Sequence, residues 1–516
     1  MSEADLILEP FTEGFSRQKI DQKLIWLTQR GYTLPRLLSE LTDDQAIDYL
    51  KKFSEAERKV KSDTNYTQIS IADHFRDANI DQWIYNIDRK KWFFWNDQYW
   101  QLDEKENIRN IVKEFLKDYL ALVPNLPLGK GVVDLTKFIV GLNTARGIRD
   151  ILAIAAPGMT IKDRDLDTQP FFLNCLNGTL NLQTMEFRAH RKEDFISKIA
   201  GVEYIPGALC PHWIQHIETV FDGNKELITN IQEVLGYSLF LGNPSAVFLV
   251  FYGSGRNGKS VTISLLDHVL GSYAASVSPS VLMDTTGCNP GSDRIKMAGA
   301  RLISALEPSD GTKGRCQLDT GFIKAATGND TLSARRLYCE SVNFKVEGLF
   351  ILASNSLPKI RDPSVAIWER IWMVPFNHYF PDEERDSGIT ETLMTEGPGI
   401  LNWLIEGYQR YRKVCRLIQC DTIKAQTADY RHDEDFYSPF FDTCITRGEG
   451  LRISATDLYQ RYVDWFNGKF PGKEPISKIR FGRDMTTRFR KDHDENGNVY
   501  IGIGPFGQKQ IIQDGD

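Results

Sequence analysis

A chain of 516 residues with 41% hydrophobic and 11% aromatic residues can bury more than one core, and its length suggests about three domains. A net charge of −7 excludes a uniformly basic nucleic-acid coat, so partners must be read from local patches. Eight cysteines without a C-x-x-C pair fit reduced thiols, and the opening "MSEADLILEPFTEGF" lacks a basic n-region. With no apolar run near the roughly 18 residues a membrane span needs, the expectation is a cytoplasmic protein with no membrane partner.

In chain order, apolar spacing in "KIDQKLIWLTQRGY" and "LTDDQAIDYLKKF" predicts a small helical unit, and the charged "SEAERKVKSDTNYTQ" predicts a linker, together residues 1–66. Aromatic alternation in "KKWFFWNDQYWQL" predicts strands packed through Trp92, Phe94 and Trp100. Aromatics beside lysines suit base stacking too, but a small sheet burying its own rings is the favoured reading. Helices follow near "IRNIVKEFLKDYLALV". The alternating aspartates of "KDRDLD" resemble a two-metal site, yet no H-x-H segment accompanies them and a loop is expected. Cys210, His212 and His216 lack a fourth ligand at useful spacing, so ordinary packing is expected there.

The strongest signal is "VFLVFYGSGRNGKSVTISLLDHVLG", an apolar strand, a glycine-rich turn and an apolar helix. Gly253 to Ser260 fits G-x-x-x-x-G-K-[ST] in full and in the context that motif requires. Gly253, Ser254, Gly255, Arg256, Asn257, Gly258, Lys259, Ser260 and Val261 are therefore expected to bind ATP. Backbone N–H groups would face phosphate, Lys259 would reach the β and γ phosphates, and the Ser260 hydroxyl would ligate Mg²⁺ at the helix N-terminus.

Hydrolysis needs further groups, and they follow in order. The apolar "LISAL" runs into Glu307, placed to address Mg²⁺ and polarise water, with Asp310 three residues on. "GLFILASN" ends in Asn355, whose amide suits orienting water or sensing the γ-phosphate, and Arg370 precedes another apolar strand, suited to reach a neighbour's nucleotide.

This order resembles the superfamily 3 helicases, of the phage and plasmid primase-helicase type related to the poxvirus helicase-primase. The hairpin motif resembles "FIKAATGNDTLSARRLY" and the arginine motif "PSVAIWERIWMVPF", while "FFLNCLNGTLNLQTMEFRAHRKEDFISKIAGVEY" and "CPHWIQHIETVF" look like the domain preceding the ATPase. The resemblance covers roughly residues 71–376. It implies a multidomain α/β fold with an AAA+-like P-loop ATPase core and an N-terminal α+β domain. It also implies a homo-oligomeric ring, usually hexameric, that encircles single-stranded DNA and acts on forked DNA. Lys259 and Ser260 would hold phosphate and Mg²⁺, Glu307 and Asp310 would form the acidic motif, Asn355 the sensor and Arg370 a finger supplied in trans. Many relatives carry a lysine at the hairpin tip, whereas this tip reads "YCES". DNA contact there would pass to Lys324, Arg335, Arg336 or Lys345.

Downstream, "SATDLYQRYVDWFNG", "SKIRFGRDMTTRFRK" and "DENGNVYIGIG" read as helix, helix and wing, the order of a C-terminal winged helix. Seven basic and two acidic residues lie between Lys473 and Lys491, which assigns DNA contact to Lys478, Arg480, Arg483 and Arg488. The expected domains are thus 1–66, a poxvirus helicase-primase-like domain at 67–210, the ATPase at 211–385, a helical connector at 386–432 and the winged helix at 433–516. The reading is an ATP-dependent replicative helicase of a phage, plasmid or other mobile element in the host bacterial cytoplasm, with a separate primase or polymerase as a partner. An ATP-regulated origin-binding or loading platform with little unwinding is the alternative.

Overall fold

The computed structural model describes residues 66–123, 131–284, 291–306, 317–335, 341–360, 362, 364–384, 388–495 and 497–506. The helical unit expected ahead of residue 66 lies outside them. The chain divides into two compact units between Tyr204 and Ile205.

The first unit opens with the helix Gln68–Asn79, started by a reciprocal cap between Thr67 and Ser70. Strands β1 (Trp83–Asn86), β2 (Lys91–Trp95) and β3 (Trp100–Leu102) run antiparallel, and β4 (Thr160–Ile161) joins β1 in parallel, giving the order β3-β2-β1-β4. One face stacks Trp83 on Phe94 and Tyr85 on Trp92 toward helices 108–122, 131–142 and 145–155, over a core that includes Phe75, Leu116 and Ile151. The other face buries Ile84, Phe93 and Trp100 with Ile161 and Leu166. Aromatics therefore lie on both faces of one thin sheet. A smaller antiparallel sheet follows, β5 (Phe172–Cys175), β6 (Gly178–Asn181) and β7 (Phe187–Arg188). The aspartates between the two sheets hold the chain together: Asp163 accepts from Asn86 and Arg89, Asp165 from the Lys162 N–H and Asp167 from the Ser197 N–H.

The second unit is built on β8 (Phe248–Tyr252), β9 (Ala274–Val277), β10 (Leu302–Leu306), β13 (Leu349–Ser354) and β14 (Ile371–Pro375), all parallel, in the order β14-β8-β13-β10-β9. Near-continuous apolar runs such as "FLVFY" and "LFILAS" are what strands covered on both faces require. Between β10 and β13 the chain inserts the helix Thr320–Thr327 and a hairpin of β11 (Thr331–Arg335) and β12 (Ser341–Lys345). The C-terminal part sets helices 455–469 and 478–488 against β15 (Ile445–Ser454), β16 (Lys491–Asp494) and β17 (Gly497–Pro505), a sheet ordered β15-β17-β16. Phe440, Tyr462, Phe481, Met485 and Tyr500 form its core.

The stretch 386–432 does more than connect. Its helix Gly397–Val414 lies against the helix Lys225–Tyr237 so closely that a Cβ on Gly407 would meet the Gln232 carbonyl oxygen at 1.9 Å, and one on Gly236 the Leu404 oxygen at 2.3 Å. The Gln232 amide donates to the Trp403 carbonyl at 2.8 Å across this crossing. Gly407→Ala would gain helix propensity of at most about 1 kcal/mol but forces two backbones apart, a strain of about 1–3 kcal/mol or more. A net fall in Tm is expected for Gly407→Ala and little change for the surface control Gly468→Ala, read by thermal unfolding.

Candidate functional site: the loop at the end of the parallel sheet

The loop after β8 leaves the sheet beside β13, because the two strands pair in register from Phe248 with Phe350 to Tyr252 with Ser354. Gly255, Arg256 and Gly258 take φ of 97°, 53° and 84°, turning the backbone through left-handed conformations that glycine adopts without strain. Arg256 adopts one despite its side chain, and it is braced: its guanidinium reaches Asp382 at 2.9 Å and its carbonyl accepts from the Phe380 N–H. Gly253 has no room for a Cβ, which would lie 2.0 Å from the Asn257 amide nitrogen and 2.3 Å from the Phe376 carbonyl oxygen. Asn257 donates to that same oxygen, tying the loop to the segment after β14.

Lys259 opens the helix Lys259–Leu270 and is only 6% exposed. Its Nζ donates to the Gly253 carbonyl at 2.8 Å, the Asn257 amide oxygen at 2.9 Å and the Asn355 amide oxygen at 3.0 Å. All three acceptors are neutral, so burial pushes the ammonium down to about 8. A buried cation bonded to neutral dipoles, in a loop where Gly253 and Gly258 leave no space for a Cβ, fits an anion such as the phosphates of ATP. Ser260 is exposed beside it. Strand β10 ends at Leu306, paired with Ala353. Glu307 and Asp310, the next expected members, lie outside the described residues.

Arg370 is at the other edge of the sheet. β14 pairs with β8 from Ile371 and Phe248 onward, so Arg370 precedes the first pair while the loop follows the last. At about 3.3 Å per residue the separation is roughly 17 Å, beyond any arginine's reach within one subunit. Its side chain donates to Thr327 Oγ1 at 3.0 Å and the Ala366 carbonyl at 2.6 Å.

A wall behind the loop escaped the sequence reading of these residues. Gly258 abuts Val220 and His216, and the His216 ring stacks on Trp213 and on Phe380. Burial holds this imidazole down near 4, neutral, and its Nε2 has no partner among the described residues. Of its supposed companions, His212 bonds Glu396 at 2.7 Å, and burial pushes the Cys210 thiol up to about 12. The "CPHWIQHIETVF" helix thus supports the loop, a role its spacing alone does not reveal.

Two of the expected DNA contacts are committed elsewhere. Lys324 pairs with Asp362 at 2.7 Å, and Arg488 forks onto both carboxylate oxygens of Asp435 beneath Tyr437 and Phe441. Each is paired with a carboxylate, so neither is presented as a free cation. Lys345 is exposed at the foot of the hairpin opposite Thr331; the backbone of Arg335 ends β11 opposite Ser341, and Arg336 lies outside the described residues. Lys478, Arg480 and Arg483 are exposed on the helix Lys478–Arg488 around Ile479, which is itself 80% exposed.

Titration of Lys259 gives a direct test. Its lowered value means the folded chain holds fewer protons than the unfolded chain between pH 8 and 10.5, so this group's cost to stability falls as pH rises through that window. An anion in the loop restores the charge. Nucleotide binding at pH 8.5 should therefore take up roughly half a proton or more, measured by calorimetry in buffers of different ionisation enthalpy. The uptake should vanish at pH 6.5 and in Lys259→Ala.

Residues 72–222 match the family described as D5 N terminal like. The chain is 26% identical over 432 residues to "Putative helicase L207/L206" of Acanthamoeba polyphaga mimivirus, covering 75% of this chain and 44% of that one. It is 30% identical over 255 residues to "Putative helicase 022R" of Frog virus 3, covering 45% and 25%, and 24% identical over 338 residues to "Putative primase C962R" of African swine fever virus, covering 60% and 35%. The chain spans less than half the length of these curated relatives. Among solved structures, the apo NrS-1 C terminal region aligns with a TM-score of 0.47 at 13% identity, over 82% of this chain and 96% of that one.

Proposed function

We propose that the chain is a D5-like primase-helicase and, more closely, an ATP-driven DNA helicase of superfamily 3, serving replication of a viral or other mobile genome; the match of residues 72–222 to the D5 N terminal like family supports the first step. The observation that carries this reading is the meeting of Lys259 and Asn355 at 3.0 Å, from the segments that follow the adjacent strands β8 and β13. In this proposal the parallel sheet is an AAA+-like P-loop core. Lys259 and the loop amides would hold the phosphates of ATP, and Ser260 with Glu307 would hold Mg²⁺, which would supply charge neutralisation. Glu307, helped by Asp310, takes the proton of the attacking water, and the Asn355 amide fixes where that water stands.

Arg370 lies too far from its own loop to assist there, which supports its action at a neighbour's. A ring, proposed as a hexamer, would then make hydrolysis depend on assembly, because an arginine supplied in trans is worth about 10³ to 10⁵ in rate. Arg370 would exchange its bonds to Thr327 and Ala366 for phosphate. The hairpin, through Arg335, Arg336 and Lys345, would meet single-stranded DNA, and the C-terminal module would act as a winged helix whose second helix meets duplex at the fork through Lys478, Arg480 and Arg483. Exposed Ile479 among those cations suits contact with base edges, and it favours origin binding with ATP-set loading as the second reading. A separate primase or polymerase remains the proposed partner.

Strand separation on a forked DNA tests the proposal. Lys259→Ala and Arg370→Ala should each abolish ATP-dependent unwinding, and mixing the two should restore part of it, since a mixed ring contains sites with Lys259 from one subunit and Arg370 from the next. ATP consumption with strands left paired would favour the loading platform. Failure of rescue between two correctly assembled variants would contradict the trans arginine.

A further inference from the structure

A cleft of about 720 Å³ opens in the first unit, between the β1–β2 turn, the start of helix 108–122 and the later turns of helix 145–155. Lys90 and Lys91 line it from the turn, Arg109 and Arg149 from the two helices, and Tyr85 and Trp92 from the cross-strand pair on the sheet. The cations outnumber the carboxylates, Asp103 and Glu106, and those carboxylates are occupied. Asp103 accepts from the Asn107 and Ile108 N–H groups at 2.9 Å each, capping a helix, and Glu106 pairs with Arg109 at 3.0 Å. Lys91 and Arg149 are exposed and have no ion-pair partner among the described residues. Tyr85 and Trp92 sit 5.1 Å apart, half-buried, with the exposed side chain of Ile87 beside them.

We propose that this cleft binds single-stranded DNA, with phosphates on Lys91 and Arg149 and an unstacked base against Tyr85 and Trp92. Unpaired cations held beside aromatic rings are the two elements of sequence-tolerant single-strand binding. The volume is that of a pocket for a small ligand, enough for one or two nucleotides and too small to admit a duplex. Helix Ala145–Ala155 begins from a Thr144 cap and packs through Ile148, Ile151 and Leu152, so Arg149 is carried on a fixed element and its exposure is a property of the helix face. The site lies apart from the phosphate loop in sequence and would bind without nucleotide. It extends the proposed helicase with a strand contact that does not depend on hydrolysis.

The test uses the full chain without ATP and a labelled oligodeoxythymidine followed by fluorescence anisotropy across a salt series. Lys91→Glu combined with Arg149→Glu should weaken binding about tenfold or more and reduce the salt slope by about 1.4, at about 0.7 per phosphate on a single strand. ATP hydrolysis in the absence of DNA should stay unchanged, which separates this site from the nucleotide site. Tyr85→Leu should cost about tenfold for the thymine strand and nothing for an abasic strand. Unchanged affinity and slope in the double variant, with an unchanged melting transition, would overturn the proposal; so would equal losses on thymine and abasic strands, or tighter binding of oligouridine through the same residues. Should the double charge reversal fail to fold, Lys91→Gln with Arg149→Gln gives the same reading at half the charge change.

Discussion

Burying an ammonium with no carboxylate bonded to it among the described residues is the constraint around which the phosphate-loop end of the sheet is arranged. Among the described residues, the ammonium of Lys259 bonds only carbonyl and amide oxygens, and burial pushes it down to about 8. A lysine that merely stabilised the fold would be better placed in water or beside an acid. The surroundings make sense as a socket for negative charge: strand β8 brings the loop to the end of the sheet, β13 brings Asn355 alongside, and the glycines keep side chains out. The neutral stack of His216, Trp213 and Phe380 then closes the back of the loop, so that the binding geometry is set before a ligand arrives.

The same sheet explains why one subunit is not enough in the proposed mechanism. Parallel strands in register put everything at their C-terminal ends on one edge and everything at their starts on the other. Lys259 and Asn355 share the first edge, and Arg370 belongs to the second. In that proposal a neighbouring copy brings the two edges together, and the bonds of Arg370 to Thr327 and Ala366 hold the guanidinium in the single chain.

Local chemistry was legible in the sequence, and partnership across the chain was not. The phosphate-loop pattern, the buried parallel strands and the helix-helix-hairpin order at the C-terminus are written in short windows, because glycine placement and apolar runs act over a few residues. Lys324 and Arg488 look alike with Arg480 in such a window, yet Asp362 and Asp435 claim the first two across 38 and 53 residues. The glycines Gly236 and Gly407 show the same limit. Each alone reads as a weak point in a helix, and only their meeting in space reveals two backbones in contact. The aromatic run at β1–β3 sits between these cases: alternation predicts the sheet, while the cleft beside Tyr85 and Trp92 depends on helices that follow later in the chain.

The most direct measurement is a structure of the full chain assembled on forked DNA with Mg²⁺ and a non-hydrolysable ATP analogue. The account predicts a closed ring with the triphosphate on Lys259 and Ser260 of one protomer and the Arg370 guanidinium of its neighbour against the γ-phosphate. Nucleotide bound away from the Gly253–Ser260 loop, or a loaded site completed within a single protomer, would contradict it.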